Sequence, residues 1–154
     1  MSVASIDLGS NSFHMLISEI LGPTSFKIVA RDKMMIQLGK TSLMTDRLDS
    51  EAMKRGLECL DKFRQIAMAR RAERILAVAT SAIREAENGE EFIQRAGTES
   101  GIAVRVISSR EEARLVHLAV SRQIDLGDQK ALIVDIGGGS VELIVGDAHK
   151  MHSV

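Results

Sequence analysis

Two short segments of this chain have the make-up of a phosphate cradle. Ile6-Asp7-Leu8-Gly9-Ser10-Asn11-Ser12 and Val134-Asp135-Ile136-Gly137-Gly138-Gly139-Ser140 share one pattern, apolar-Asp-apolar-Gly-x-x-Ser, with Asp7 and Asp135 offset by 128 residues. Glycine tolerates positive φ, and serine and asparagine add short polar donors, so such a turn can aim several backbone N–H groups at one anion. An aspartate at the end of the preceding strand can hold Mg2+ directly or through water, offsetting phosphate charge and orienting a nucleophile. One copy alone reads more simply as a hairpin turn, and Gly-Gly-Gly-Ser alone as a flexible linker. The recurrence of aspartate at the same place favours the functional reading, in which two facing turns grip a phosphate chain from both sides.

Two further segments carry groups suited to the same chemistry. Ala79-Thr80-Ser81-Ala82-Ile83-Arg84 and Ser108-Ser109-Arg110-Glu111-Glu112-Ala113-Arg114 each follow an expected strand. Ligands of sheets with parallel strands gather at the carboxyl ends of those strands, so both segments point toward the side of the two aspartate turns. Arg84 can bind a phosphate bidentately, and Glu112 can accept a proton from attacking water. On spacing alone the plainer alternatives lead: a surface arginine, and an acidic first helical turn complementing the helix dipole.

The elements that must position these residues follow from periodicity. Residues 3–8 and 13–20 are apolar-rich strands joined across Gly9–Ser12, and Gly22-Pro23 turns the chain into a third run, 26–38, giving an antiparallel meander. Asp49 is a good N-cap for a helix in which Met53, Leu57, Leu60, Phe63 and Ala67 recur at steps of three or four, ending near Arg70. A strand at 75–79, a helix at 90–96, a strand at 104–107 and a helix at 111–123 come next, the last with Leu115, Leu118 and Ala119 on its apolar side. After a break at Asp125, Gly127 and Asp128, strands at 131–136 and 141–145 form a closing hairpin. The order β-β-β-α-β-α-β-α implies crossovers and a mixed, partly parallel α/β sheet.

Composition narrows the function classes. The 154 residues are 45% hydrophobic and 27% charged, with 20 Lys+Arg against 21 Asp+Glu, so no overall field attracts nucleic acid or an anionic membrane. Four Phe without Trp or Tyr make a poor platform for stacking bases, and no apolar run approaches the roughly 20 residues that span a bilayer. Cys59 is the only cysteine and the start lacks a secretory pattern, so a reducing cytoplasm is the expected setting. Cys59 reads as a buried packing residue, and His14 as a packed or hydrogen-bonded side chain. His117 has no paired motif on its helix. His149 and His152 could chelate a metal on a helix but read as incidental.

The segments DLGSNSFHMLI at 7–17, ATSAIREA at 79–86, SSREEARL at 108–115 and VDIGGGSVEL at 134–143 together resemble the exopolyphosphatase and guanosine pentaphosphate phosphohydrolase family of the actin, sugar-kinase and heat-shock-protein-70 superfamily. Those four ordered motifs cover nearly the whole chain. The resemblance implies ribonuclease-H-like (actin-like ATPase) domains with the active site in the cleft between two of them. Residues 1–125 would form the first domain and 126–154 the opening hairpin of a second, truncated one. It further implies phosphate loops at Gly9, Ser10, Asn11 and Ser12 and at Gly137, Gly138, Gly139 and Ser140. Arg84 would be the phosphate-binding arginine, Glu112 the catalytic base, and Asp7, Asp135 and Glu142 the metal-binding carboxylates.

The implied reaction is release of terminal orthophosphate from inorganic polyphosphate or guanosine pentaphosphate by Mg2+-assisted attack of water. A nucleotide-dependent kinase of the same superfamily, or a non-enzymatic sensor of a phosphorylated signal, are the alternatives. A homodimer is expected of the complete protein. The 154 residues alone are expected to be inactive, since one domain cannot close a cleft, and the terminal hairpin to expose edges that invite self-association.

Overall fold

The computed structural model describes residues 1–40, 45–127 and 129–154, so Asp128, part of the expected break before the last hairpin, lies outside it. Three antiparallel strands open the chain: β1 (Ser2–Leu8), β2 (Ser12–Ile20) and β3 (Phe26–Met35). Alternation decides which side of each is covered. Ala4, Ile6 and Leu8 of β1 and Phe13, Met15 and Ile17 of β2 are buried, whereas Ser5, Asp7, His14 and Leu16 lie on the opposite face. β3 ends at Met35, three residues before the expected limit. There the N–H groups of Ile36 and Gln37 leave the ladder for the Asn11 carbonyl, and Gln37 takes φ 60°.

Helix α1 (Ser50–Ala69) supplies the crossover. The Asp49 carboxylate caps it, accepting from the N–H groups of Glu51 and Ala52 at 3.1 and 3.0 Å, satisfying two donors that the first turn leaves without partners. Its buried stripe, including Met53, Leu57, Leu60, Phe63 and Ala67, lies in one core with the covered face of the sheet. Strands β4 (Arg74–Ala79) and β5 (Val104–Val106) then add in parallel, giving the order β3-β2-β1-β4-β5. This is the mixed sheet expected of a ribonuclease-H-like domain.

Between β4 and β5 lie α2 (Ser81–Glu85) and α3 (Gly89–Arg95), the latter running into one wide π turn over Ala96–Ser100 that Gly101 closes at φ 67°. At five residues α2 is too short for periodicity to reveal. Helix α4 (Ser109–Gln123) follows β5 and is capped by Ser108 Oγ, which accepts from the Glu111 N–H at 3.2 Å.

A second sheet of three antiparallel strands, β6 (Ala131–Ile136), β7 (Val141–Gly146) and β8 (Met151–Ser153), closes the structure. The sequence pattern gave no sign of β8. It also misassigned the apolar side of α4: Ala113 and His117 are the buried pair, while Leu118 is 42% exposed and Ala119 open. The reason is that α4 packs on β7, and positions 113 and 117, four apart on the helix, face it. The open face of the larger sheet borders a hollow of about 1330 Å³, reaching Asp7, His14 and Leu76. Leu132, Val134, Ile136, Val141 and Leu143 of the smaller sheet are exposed.

Candidate active site

The first turn is shaped by what holds its carbonyls. The Asn11 carbonyl accepts from Ile36 and Gln37, and the Ser10 carbonyl from Gly39 at 2.8 Å, so the residues after β3 engage one side of the Gly9–Ser12 turn. The second turn is pinned by a bond from the Gly137 N–H to the Ser140 carbonyl at 3.0 Å. Among the described residues, the N–H groups of Ser10, Asn11, Gly138 and Gly139 donate to no protein acceptor. Backbone donors left free in two adjoining turns make an anion-binding concavity.

The two turns touch. A methyl group on Gly138 would stand 2.9 Å from Asn11 Cβ, and one on Gly139 2.5 Å from Ser10 Oγ and 2.8 Å from Ser81 Oγ. Glycine is therefore required there for close approach, and its φ is unexceptional. Ser10 and Ser81 hydroxyls are themselves bonded at 2.8 Å, which joins the first turn to the start of α2. No hydrogen bond crosses from one turn to the other among the described residues.

Arg84 and Glu112 meet beside the turns. Arg84 Nη1 donates to Glu112 Oε2 at 2.9 Å and to the Ile107 carbonyl at 3.0 Å, both side chains being mostly buried. Nη2 reaches exposed Glu85 at 3.3 Å. The arginine thus connects α2, the end of β5 and the first turn of α4, and it fixes one oxygen of the glutamate.

Four carboxylates gather around this point. Asp135 on β6 and Glu142 on β7 are cross-strand partners, as Asp7 and His14 are on β1 and β2, so the repeat places Glu142 where the first copy has His14. Burial pushes the Glu112 carboxyl above its ordinary range; the Arg84 hydrogen bond opposes this, and Glu142 and then Asp7 add to the rise. Asp7 is also raised, first by the protein walling it in on the open face, with His14 pulling it down and Asp135 pushing it up. Glu142 is only 5% exposed, and its side chain makes no hydrogen bond among the described residues. Within that set no three His, Cys, Asp or Glu side chains converge tightly enough to cage a metal. The donors suit a hard cation that keeps its waters and takes one or two carboxylates and phosphate oxygens. A Glu142 carboxylate that has no protein partner among the described residues and still reaches solvent, beside Asp135, is the arrangement such a cation would neutralise.

A family model described as the Ppx/GppA phosphatase family matches residues 16–154. The chain belongs to that family. A solved Ppx/GppA family member from Aquifex aeolicus is 34% identical, superimposing with a TM-score of 0.85 over 99% of this chain and 49% of its own. An exopolyphosphatase from Cytophaga hutchinsonii, also 34% identical, reaches 0.94 over 98% of this chain and 48% of its own. The chain therefore spans about half the length of the family members it matches. The ethanolamine utilization protein EutJ from Carboxydothermus hydrogenoformans, at 13% identity and a TM-score of 0.58, shares the fold.

Within this family fold, several contacts lay beyond sequence reasoning. Ser81 lies inside the 79–86 motif without a role read for it there, and the Ile107 carbonyl has no side-chain signal; they act by bonding Ser10 and Arg84. The pairing of Asp7 with His14 was readable from the repeat, by extending it one strand further to Glu142. Cys59 is fully buried and burial pushes its thiol up to about 12, which removes it as a nucleophile. His152 lies on β8 and donates to the Asp147 carboxylate, not on a helix with His149. No helix of the described residues is long and apolar enough to cross a membrane.

The raised carboxyls carry a stability cost at neutral pH. A group whose pKa is higher folded than unfolded supports the fold when protonated, and that support is lost as pH rises through the folded value. Asp7 therefore disfavours folding at pH 7, and Asp7→Asn is expected to raise the midpoint of thermal unfolding there. The gain should shrink as pH falls below about 4, where the unfolded aspartate is itself protonated. Circular dichroism melts of both proteins at pH 7 and pH 4 test this, and a lower midpoint for the variant at pH 7 would contradict it.

Proposed function

We propose that the site releases terminal orthophosphate from a phosphoanhydride chain, inorganic polyphosphate or the pentaphosphate of a guanosine nucleotide, by attack of water. The observation that carries this is the set of N–H groups, from two touching turns, that donate to no acceptor among the described residues, with a glutamate on an arginine tether next to them. The N–H groups of Ser10, Asn11, Gly138 and Gly139 would bind the terminal phosphate oxygens and stabilise charge on the phosphoryl group in transfer. Arg84 would hold Glu112 in line, and Glu112 would accept the proton of the attacking water as the new P–O bond forms. The bridging P–O bond breaks and the shortened chain leaves with the electron pair. Asp135 and Glu142, with Asp7 on β1, are the residues that would hold Mg2+. When bound, the ion supplies charge neutralisation on the phosphates and lowers the pKa of coordinated water.

The family and the neighbouring exopolyphosphatase support a phosphatase. The setting we propose is the cytoplasm, with the complete protein a homodimer and the 154 residues alone inactive. The test is phosphate release with Mg2+ from polyphosphate and from guanosine pentaphosphate, by this chain and by a polypeptide of the relatives' full length carrying it. Release to water from either substrate by the longer protein supports the reading. Transfer to an alcohol, or tight binding without release, overturns it.

A further inference from the structure

One buried titratable residue plays no part in the chemistry above. His117 lies two helical positions past Leu115 on α4, is 6% exposed, and faces the end of β7. Its Nε2 is 2.9 Å from the Asp147 carbonyl oxygen. A carbonyl only accepts, so the ring carries a proton on Nε2 and donates. The same ring lies against Gly146, where a methyl group would stand 2.4 Å from both Cδ2 and Nε2. Contact and hydrogen bond together tie α4 to the hairpin.

The tie matters because of what the two elements carry. Glu112 sits in the first turn of α4 and Glu142 near the start of β7, close enough for the Glu142 charge to act on the Glu112 carboxyl. Alternation along β7 places Glu142, Ile144 and Gly146 on one face, all three buried, and α4 packs on this strand. At the far end of that contact Asp147 is itself anchored: its carboxylate accepts from the N–H groups of His149 and Lys150 and from His152. The carbonyl that His117 grips is therefore part of a fixed turn and not of a loose end.

We infer that His117 is a positioning residue, which locks β7 onto α4 and thereby holds Glu142 opposite Glu112. Its relevance to turnover rests on the phosphohydrolase reading; the tie itself does not. In this chain, amide hydrogen exchange of residues 142–146 reports detachment of the hairpin, and that of residues 4–8 in β1 serves as the internal reference. His117→Phe removes the donor and should speed exchange in the hairpin roughly tenfold with β1 unchanged, whereas His117→Gln keeps a donor at similar reach and should restore most of the protection. Gly146→Ala should loosen the hairpin in the wild-type background and loosen it much less once His117→Ala has taken the ring away, the remainder being the contact of the new methyl group with the Lys150 carbonyl at 3.0 Å.

Hairpin exchange unaltered by His117→Phe, or Gly146→Ala acting undiminished beside His117→Ala, would overturn the tie. In a full-length phosphatase carrying the sequence, His117→Phe should lower kcat roughly tenfold to a hundredfold with KM little changed, and glutamine should recover most of it. An unchanged kcat in that active enzyme would overturn the positioning role. The expected exchange pattern alongside a wild-type protein that releases no phosphate would leave the tie standing and sink the phosphohydrolase reading alone.

Discussion

Glutamine at position 112 is expected to lower phosphate release about 10³-fold in a full-length protein carrying this sequence, while substrate binding persists. General-base catalysis is worth about 10² to 10⁴ in rate, and the amide cannot take the proton of attacking water. Structurally the change is mild. The glutamine Oε1 can still accept from Arg84 Nη1, so the 2.9 Å contact that fixes the side chain survives, and the Ile107 carbonyl keeps its own bond to the same nitrogen. The N–H groups of the two turns are untouched. Initial-rate assays paired with calorimetric titration of polyphosphate separate the two quantities. Turnover within tenfold of wild type would remove Glu112 from the proton transfer, and a parallel loss of binding would recast it as a structural residue.

The second large effect falls on the fold beneath the first turn. Phe13→Ala is expected to cost about 3–5 kcal/mol, enough to unfold a sizeable fraction of a marginally stable domain. The residue is fully buried one position after Ser12, and its ring meets the edge of Phe92 at a centroid distance of 6.4 Å and an interplanar angle of 69°. Gly56 of α1 lets the helix come this close: a methyl group there would be 3.0 Å from Phe92 and 3.4 Å from Phe13. With no side chain at position 56 to collapse into the gap, the cavity left by alanine is expected to stay open. Urea unfolding of both proteins, followed by far-ultraviolet circular dichroism, gives the difference. A loss under about 1.5 kcal/mol would mean that the core repacks around the hole.

Much of this architecture was legible before any coordinates, and the reasons are physical. Strands β1 and β2 alternate cleanly because one face is packed, and α1 announces itself by a long apolar stripe and an aspartate cap. The recurrence of Asp7 in Asp135 exposed both turns. What stayed hidden depends on pairing between distant segments. The five residues of α2 are too few for a period, and β8 is a three-residue strand defined by its partner β7. The side of α4 that is covered could not be told from its own apolar residues, because what packs there is a hairpin presenting a glycine. Arg84 and Glu112 were singled out by type and place, but their direct bond, bridging 28 positions, is a product of the crossover through β5.

The junction between the two glycine turns has a mechanical character of its own. Gly138 and Gly139 lie so close to Ser10 and Asn11 that neither has room for a side chain, with no hydrogen bond spanning the gap among the described residues. Such a joint resists compression strongly and tension weakly, since repulsion between atoms is steep and dispersion between a few of them is slight. Its compliance is thus one-sided, soft along the direction in which the turns would part to admit an anion and stiff against over-closure. The stiffness of the loaded joint would be set by whatever bridges the turns, and it would slacken again when that bridge is cut.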